Sequence, residues 1–359
     1  MKFFQRKNIK IFINYFLGPL LFIWLSYSIY RQIKSQTDLA QAWSRIRQSL
    51  NSQMLWNLFA VIALMIVNWS IEAVKWKLSV KRIQQVSFLR AFKAILSGVS
   101  FSVSTPNRMG EYLGRILYMD EGNRLKTVSI TILGSISQLI ITLLMGCIGL
   151  LILLPKIETT GMLSSPWDNV LLYGVLATLV ILTLVYFRLS WFVKWIDRLP
   201  GSNRYGYLVR ALEDFDTSLL FHLLFLSALR FFVFIIQYYL LFRLFDVNVT
   251  WWQGFWATSV SFLVLAIIPT FAIAELGLRG KVTLSLLGLF STNGLGITIA
   301  AGSIWFINLV IPAIVGSLLI LGIKKISKAK NERTQAYCCS WIWNVPIHLF
   351  YETPAAAIR

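Results

Sequence analysis

The chain has 359 residues, of which 57% are hydrophobic and 14% charged, against roughly one-quarter charged in an ordinary soluble domain. That balance excludes a soluble globular fold and gives an integral membrane protein. The net charge of +19 does not gather into one basic stripe, so nucleic acid is not an expected partner; Lys and Arg flank apolar runs, where they set topology and meet anionic headgroups.

Several apolar runs reach the roughly 20 residues that a helix needs to cross hydrocarbon, and none shows the strand-length alternation of an outer-membrane barrel. The expected fold is all-α and polytopic, with full spans at 11–30, 54–74, 127–154, 168–187, 219–243 and 296–322 and interrupted regions at 88–118 and 251–292. The first run ends at Arg31 without a small-residue cleavage site and reads as an uncleaved span. Lys2, Arg6, Lys7 and Lys10 put the N-terminus in the cytoplasm of a multi-pass protein of the plasma (inner) membrane. Lys75, Lys77, Lys81 and Arg82 put the end of the second span on the same side, and Lys324, Lys325, Lys328 and Lys330 do so for the last. The segment 31–53 opposes this assignment, because it carries Arg31, Lys34, Arg45 and Arg47 on the side expected to be outside.

Within the second span Asn68 and Glu72 share a face, and Arg230 lies inside the fifth. Charges at such depth line a cavity or pair with one another. Ser135, Ser137 and Gln138 in the third span suit hydrogen bonds between helices. Between the fourth and fifth spans, residues 188–218 space their aromatic and charged residues like an amphipathic interfacial helix. His222 and the pair Trp251 and Trp252 read as interfacial residues. Cys147, Cys338 and Cys339 have no metal spacing and form no disulfide framework. No cofactor and no metal is expected, and no phosphate-binding Gly-Lys-Ser/Thr loop occurs.

The interrupted regions are copies of one another. "VSFLRAF" (86–92) matches "VTWWQGF" (249–255), and each is followed 14 residues after its Phe by a proline, Pro106 and Pro269. Glu111 and Glu275 come next, each with an arginine four residues later, Arg115 and Arg279. Such duplication is a mark of membrane transporters built from two related halves, and the spans preceding the copies end on opposite sides, which makes the repeat inverted. The chain then divides into 1–125, 126–218, 219–325 and a basic, aromatic tail at 326–359.

Each proline should end a helix and begin another, with Thr105 capping the first and Thr270 the second. Two broken re-entrant hairpins result, and each half-helix N-terminus offers free N–H groups to phosphate. Glu and Arg four apart share a helix face, either as switching ion pairs around a cavity or as interfacial staples. Arg108, in the first turn after Pro106, is the leading headgroup-phosphate contact.

At "PNRMGEY" and "PTFAIAELGLRG" the sequence resembles the lysylphosphatidylglycerol synthase transmembrane family. The resemblance implies a lipid-translocating membrane domain, with Pro106, Gly110, Glu111, Pro269, Glu275 and Gly277 as functional positions; the residues themselves show no soluble catalytic domain and no nucleophile-with-base arrangement, so an enzyme is not expected. The residues add Arg108, Arg115, Arg279, Glu72 and Arg230 to that set. The expected partners are membrane phospholipids, anionic or lipid-linked, and a separately made lipid-modifying enzyme. A scaffold for such an enzyme, or an intramembrane transferase, are the competing readings. Lipid identity, direction of movement, energy source and oligomeric state stay open.

Overall fold

The computed structural model describes residues 55–103, 105, 109–159, 165–188, 215–270 and 272–321, together with isolated positions between 27 and 48. The first span at 11–30 and the amphipathic linker thus lie almost wholly outside the described residues, and the tail after Leu321 lies entirely outside them. The chain forms two compact units, Met1–Gly316 and Ser317–Arg359; of the second, only the helical residues 317–321 are described.

Among the described residues the fold is helical throughout. In chain order the helices are α1 (Leu55–Val80), α2 (Phe88–Val103), α3 (Gly110–Ile116), α4 (Arg124–Thr159), α5 (Ser165–Phe187), α6 (Thr217–Leu244), α7 (Trp251–Ile267), α8 (Ala272–Leu287) and α9, which starts at Gly294. A short 3₁₀ turn, Glu121–Asn123, leads into α4, and α9 continues through a π turn at Phe306–Val310 to Leu321. Among the described residues four segments are long and apolar enough to cross a membrane: Leu55–Val80, Glu121–Thr159, Thr217–Leu244 and Gly294–Leu321. Their outward residues are large and apolar, for example Phe59 and Ile66 on α1 and Phe225 on α6, each more than half exposed. Surface of this kind is costly in water and costs nothing against acyl chains.

α1 and α6 pack together along their lengths and run antiparallel. The Gln237 side chain donates to the Val61 carbonyl at one end (2.8 Å), Lys75 Nζ reaches Ser227 Oγ further along (3.3 Å), and Arg82 pairs with Asp216 at the other end. α2 therefore follows α1 from one end of this pair, while α7 follows α6 from the opposite end. Ser87 and Thr250, the hydroxyl positions of the sequence repeat, have matching roles. Ser87 Oγ accepts from the Arg90 N–H, and Thr250 forms a full capping box with Gln253. Each tethers the free N–H groups of the helix that enters its hairpin.

The two hairpins close in different ways. α3 lies against α2 with almost no side chain between them: a Cβ added to Gly114 would stand 2.2 Å from the Gly98 amide nitrogen, and one on Gly110 2.2 Å from the Phe101 carbonyl oxygen. Thr105 Oγ1 accepts from the Gly110 N–H at 2.7 Å, so it does serve the start of α3. The helices begin later than the prolines suggested, at Gly110 and at Ala272. Pro269 and Thr270 remain non-helical, because the backbone that leaves Ile268 is extended (φ −91°, ψ 110°) and a proline disfavours helix in the residue before it. α8 packs on α7 and α9, within a core that includes Tyr238, Phe242, Val260, Leu284, Leu287 and Ile297. Asn293 anchors α9 beneath this core: its side chain accepts from the Gly296 N–H and donates to the carbonyls of Phe245 and Asp246.

Candidate functional site

The charged residues of the spans assemble around Glu72. Its Oε1 accepts from Arg115 Nη2 on α3 at 3.0 Å, and its Oε2 accepts from Arg230 Nη1 on α6 at 2.8 Å and from Lys75 Nζ at 2.9 Å. Arg115 also binds Glu111 at 3.1 Å. Glu72, Lys75 and Arg115 are each at most 3% exposed. One carboxylate thus ties the first hairpin to both central helices. Arg230 Nε donates to Asn68 Oδ1 at 2.9 Å, and Asn68 Nδ2 donates to Asn308 Oδ1 at 3.3 Å, which extends the network to the π turn of α9. In that turn the Ile311 N–H reaches the Phe306 carbonyl five residues earlier, just before Pro312.

The second hairpin holds its own pair. Glu275 Oε1 accepts from Arg279 Nη2 at 2.6 Å, and Arg279 Nη1 donates to Tyr238 Oη on α6 at 2.9 Å. The Glu111–Arg115 and Glu275–Arg279 pairs are thus anchored on different partners, Glu72 and Tyr238. Both pairs are largely enclosed by protein: Arg115 is 3% exposed and Glu275 8%.

Between these groups is a cavity of about 640 Å³. Its walls include Arg230, Glu275 and Arg279, the broken segment Ile268–Thr270, and an apolar lining of Phe231, Phe234, Phe262 and Leu265. The Arg230 guanidinium lies over the Trp69 ring, 5.0 Å from its centroid, and 5.7 Å from that of Phe234. Aromatic faces of this kind hold a cation where water is scarce. Among the described residues no group of three or more His, Cys, Asp or Glu could hold a metal ion.

Comparison with known proteins agrees with this extent. The family described as the lysylphosphatidylglycerol synthase TM region matches residues 11–316, which include both hairpins and the helices around them. The chain belongs to this family. Among curated proteins nothing matches it.

Of the site residues expected in this lysylphosphatidylglycerol synthase TM region, Pro269, Glu275, Arg279 and Arg230 line the cavity. Glu111, Arg115 and Glu72 form the buried knot beside it; Glu72 does not line the cavity but holds Arg230, which does. Gly110 is the contact point of α3 on α2, and Gly277 is buried within α8. Pro106 and Arg108 lie outside the described residues. Lys75 corrects the topology reading: it is 2% exposed and bonded to Glu72, Ser227 Oγ and the Gly134 carbonyl, so it is not a flanking charge. The spacing of Asn68, Glu72 and Lys75, four and three residues apart on one helix face, carried that signal. Tyr238, which bonds Arg279, and Asn308, which bonds Asn68, were not singled out, and the cavity-lining Trp69 and Trp305 look like interfacial anchors in an apolar run. Ser137 and Gln138 do join helices, to the Ser227 hydroxyl and carbonyl of α6, whereas Ser135 bonds back to the Thr131 carbonyl of its own helix.

Proposed function

We propose that this chain is a lipid translocator of the plasma (inner) membrane, with its N-terminus in the cytoplasm, which moves a phospholipid or lipid-linked precursor between leaflets. The observation that carries this reading is the cavity, where a broken helix and three charged side chains, Arg230, Glu275 and Arg279, meet apolar walls. Its volume falls in the range of roughly 300–1,000 Å³ usual for ligand sites. Non-helical backbone at membrane depth is tolerated where it lines such a space, and charges there mark substrate paths.

The arrangement of the hairpins supports alternating access. α2 and α7 have 16 and 17 residues, short of the roughly 20 that cross the hydrocarbon. They approach the antiparallel pair α1 and α6 from opposite ends, as the halves of an inverted repeat do. Each hairpin is latched by its own arginine, Arg115 to α1 and Arg279 to α6. Exchange of these latches as a headgroup passes would open one side while the other is shut. The protein does no bond chemistry in this reading; a separately made enzyme would produce or consume the lipid.

The test is leaflet-resolved scrambling of short-chain fluorescent phospholipids in liposomes that hold the purified chain. Wild type should expose inner-leaflet label to an external quencher, and Glu111→Gln and Glu275→Gln should slow this by about tenfold or more while remaining folded. Unchanged rates in both variants would refute the role of the latches, and no movement by wild type would refute translocation.

A further inference from the structure

Among the described residues, the buried knot sets three cations, Lys75, Arg115 and Arg230, against two carboxylates, Glu72 and Glu111. One positive charge is therefore in excess, in surroundings where an uncompensated charge is expensive. Of the five groups only Lys75 holds a proton that it can lose, because a guanidinium stays protonated in proteins. The charges that face Lys75 are Glu72 on its own helix, Arg115 on α3, with Glu111 behind it, and Arg230 on α6. From α4 and α5 the facing groups are hydroxyls, Ser137 and Tyr186, and α2, which also packs on α1, leaves its Arg90 and Lys93 exposed.

The cradle of Lys75 suits both of its forms. Nζ meets three acceptors, Glu72 Oε2 at 2.9 Å, the Gly134 carbonyl at 3.2 Å and Ser227 Oγ at 3.3 Å, one for each N–H of an ammonium. Ser227 Oγ is 2.9 Å from Ser137 Oγ, in a bond that can run either way, and Ser137 Oγ is 2.7 Å from the Gly134 carbonyl. With the ammonium present, Ser227 accepts from Lys75 and donates to Ser137, which donates to Gly134. With a neutral amine both hydroxyls turn: Ser137 donates to Ser227, Ser227 donates to Nζ, and the two remaining N–H groups keep Glu72 and Gly134. Each donor thus has an acceptor in either state, so the loss of the proton strands no buried polar group. Beside Ser137 stands Tyr186, whose hydroxyl donates to the Leu220 carbonyl at 3.0 Å. The hydroxyls therefore lead from Lys75 toward the end of α6 that carries Asp216.

We infer that Lys75 is a proton-carrying site, and that one proton bound and released at its amine accompanies each anionic lipid moved. The inference rests on the translocator reading for its cargo and adds the driving ion. The coupling runs through Glu72 Oε2, which Lys75 and Arg230 share. While Lys75 is charged, that oxygen is divided, and Arg230 is freer to serve the cavity that it lines; once Lys75 is neutral, the oxygen is left to Arg230 alone. Proton and anion are thus carried together, and the pair adds no net charge. The proton passes between Nζ and one membrane face by the Ser227, Ser137 and Tyr186 hydroxyls, and between Nζ and the cavity side by Glu72 Oε2. No other bond is made or broken.

A pH difference across the bilayer tests it. Liposomes that hold the purified full chain and short-chain fluorescent phosphatidylglycerol are clamped at zero membrane potential, and the leaflet distribution is read by external quenching against protein-free liposomes. One proton for each anionic lipid predicts that label gathers on the alkaline side, at a leaflet ratio of about tenfold for each pH unit. Lys75→Arg, whose charge is fixed, should gather none. Ser227→Ala, which cuts the hydroxyl chain, should slow the approach to that ratio by about tenfold or more. Wild type that scrambles the label yet leaves it evenly distributed under the pH difference overturns the proposal, and this outcome needs no variant to fold. So does a Lys75→Arg chain that gathers label as wild type does. Wild type that moves no label at any pH refutes translocation, and the proton site is then decided in detergent. There, the isotope-labelled lysine NMR signal that is lost in Lys75→Arg should move with pH across the physiological range, and a signal that stays fixed overturns the site.

Discussion

Glu72 is the residue on which the site depends most, because three cations share its two oxygens. Its removal would leave Lys75, Arg115 and Arg230 buried with only Glu111 between them, a change that costs about 3–5 kcal/mol when a buried pair is broken. Glu72→Ala should therefore lower the unfolding midpoint markedly in detergent and release the first hairpin from α1. Arg82→Ala is the contrast. Its partner Asp216 is 69% exposed, so its loss should cost at most about 1 kcal/mol. Matched thermal melts check both, and equal midpoints would show that the knot contributes no more than a surface pair. The sequence made part of this legible. Glu72 and Arg230 stood out as charges inside apolar runs, but that Glu72 serves Arg230, Arg115 and Lys75 together depends on how three helices meet, which no spacing along one helix encodes.

The hairpins are the elements in which sequence and structure correspond most closely. The repeat places α2 and α7 at matching positions, and its hydroxyls prove to be their N-caps, a local rule that spacing alone carries. What the repeat hides is that the two hairpins are built differently. The first is closed by glycine contact, with Gly110 and Gly114 leaving no room for a methyl group, whereas the second is filled by side chains from α6, α7 and α9. Gly114→Ala should thus disrupt the first hairpin, at a cost of about 1–3 kcal/mol or more for an overpacked contact, and reduce folded yield. Gly122→Ala meets nothing within 4 Å and should leave yield unchanged. Size-exclusion recovery of the two variants measures this; a monodisperse Gly114→Ala at wild-type yield would mean that the α2–α3 contact can open freely.

For the whole molecule, the main observation is that α1 and α6 run antiparallel. The turn after α1 and the turn after α6 lie at opposite ends of that pair, so single cysteines at Gln85 and Asn248, both exposed, should react with a membrane-impermeant thiol reagent from opposite faces. Labelling from the same face would rule out the inverted arrangement. Membrane class and most helix positions were legible because span length and hydropathy are set by the bilayer itself. The cavity was not, since its walls come from α1, α4, α6, α7, α8 and α9 and its tryptophans look like ordinary interfacial anchors until the helices are assembled. The central claim, that this cavity is the headgroup path, is tested most directly by obstructing it. Ala266→Trp sets a bulky ring in the cavity wall, and Leu229→Trp sets the same ring on an exposed, lipid-facing position of α6. In liposomes, scrambling should persist in Leu229→Trp and fall by about tenfold or more in Ala266→Trp; transport at the wild-type rate through the obstructed cavity would contradict the account.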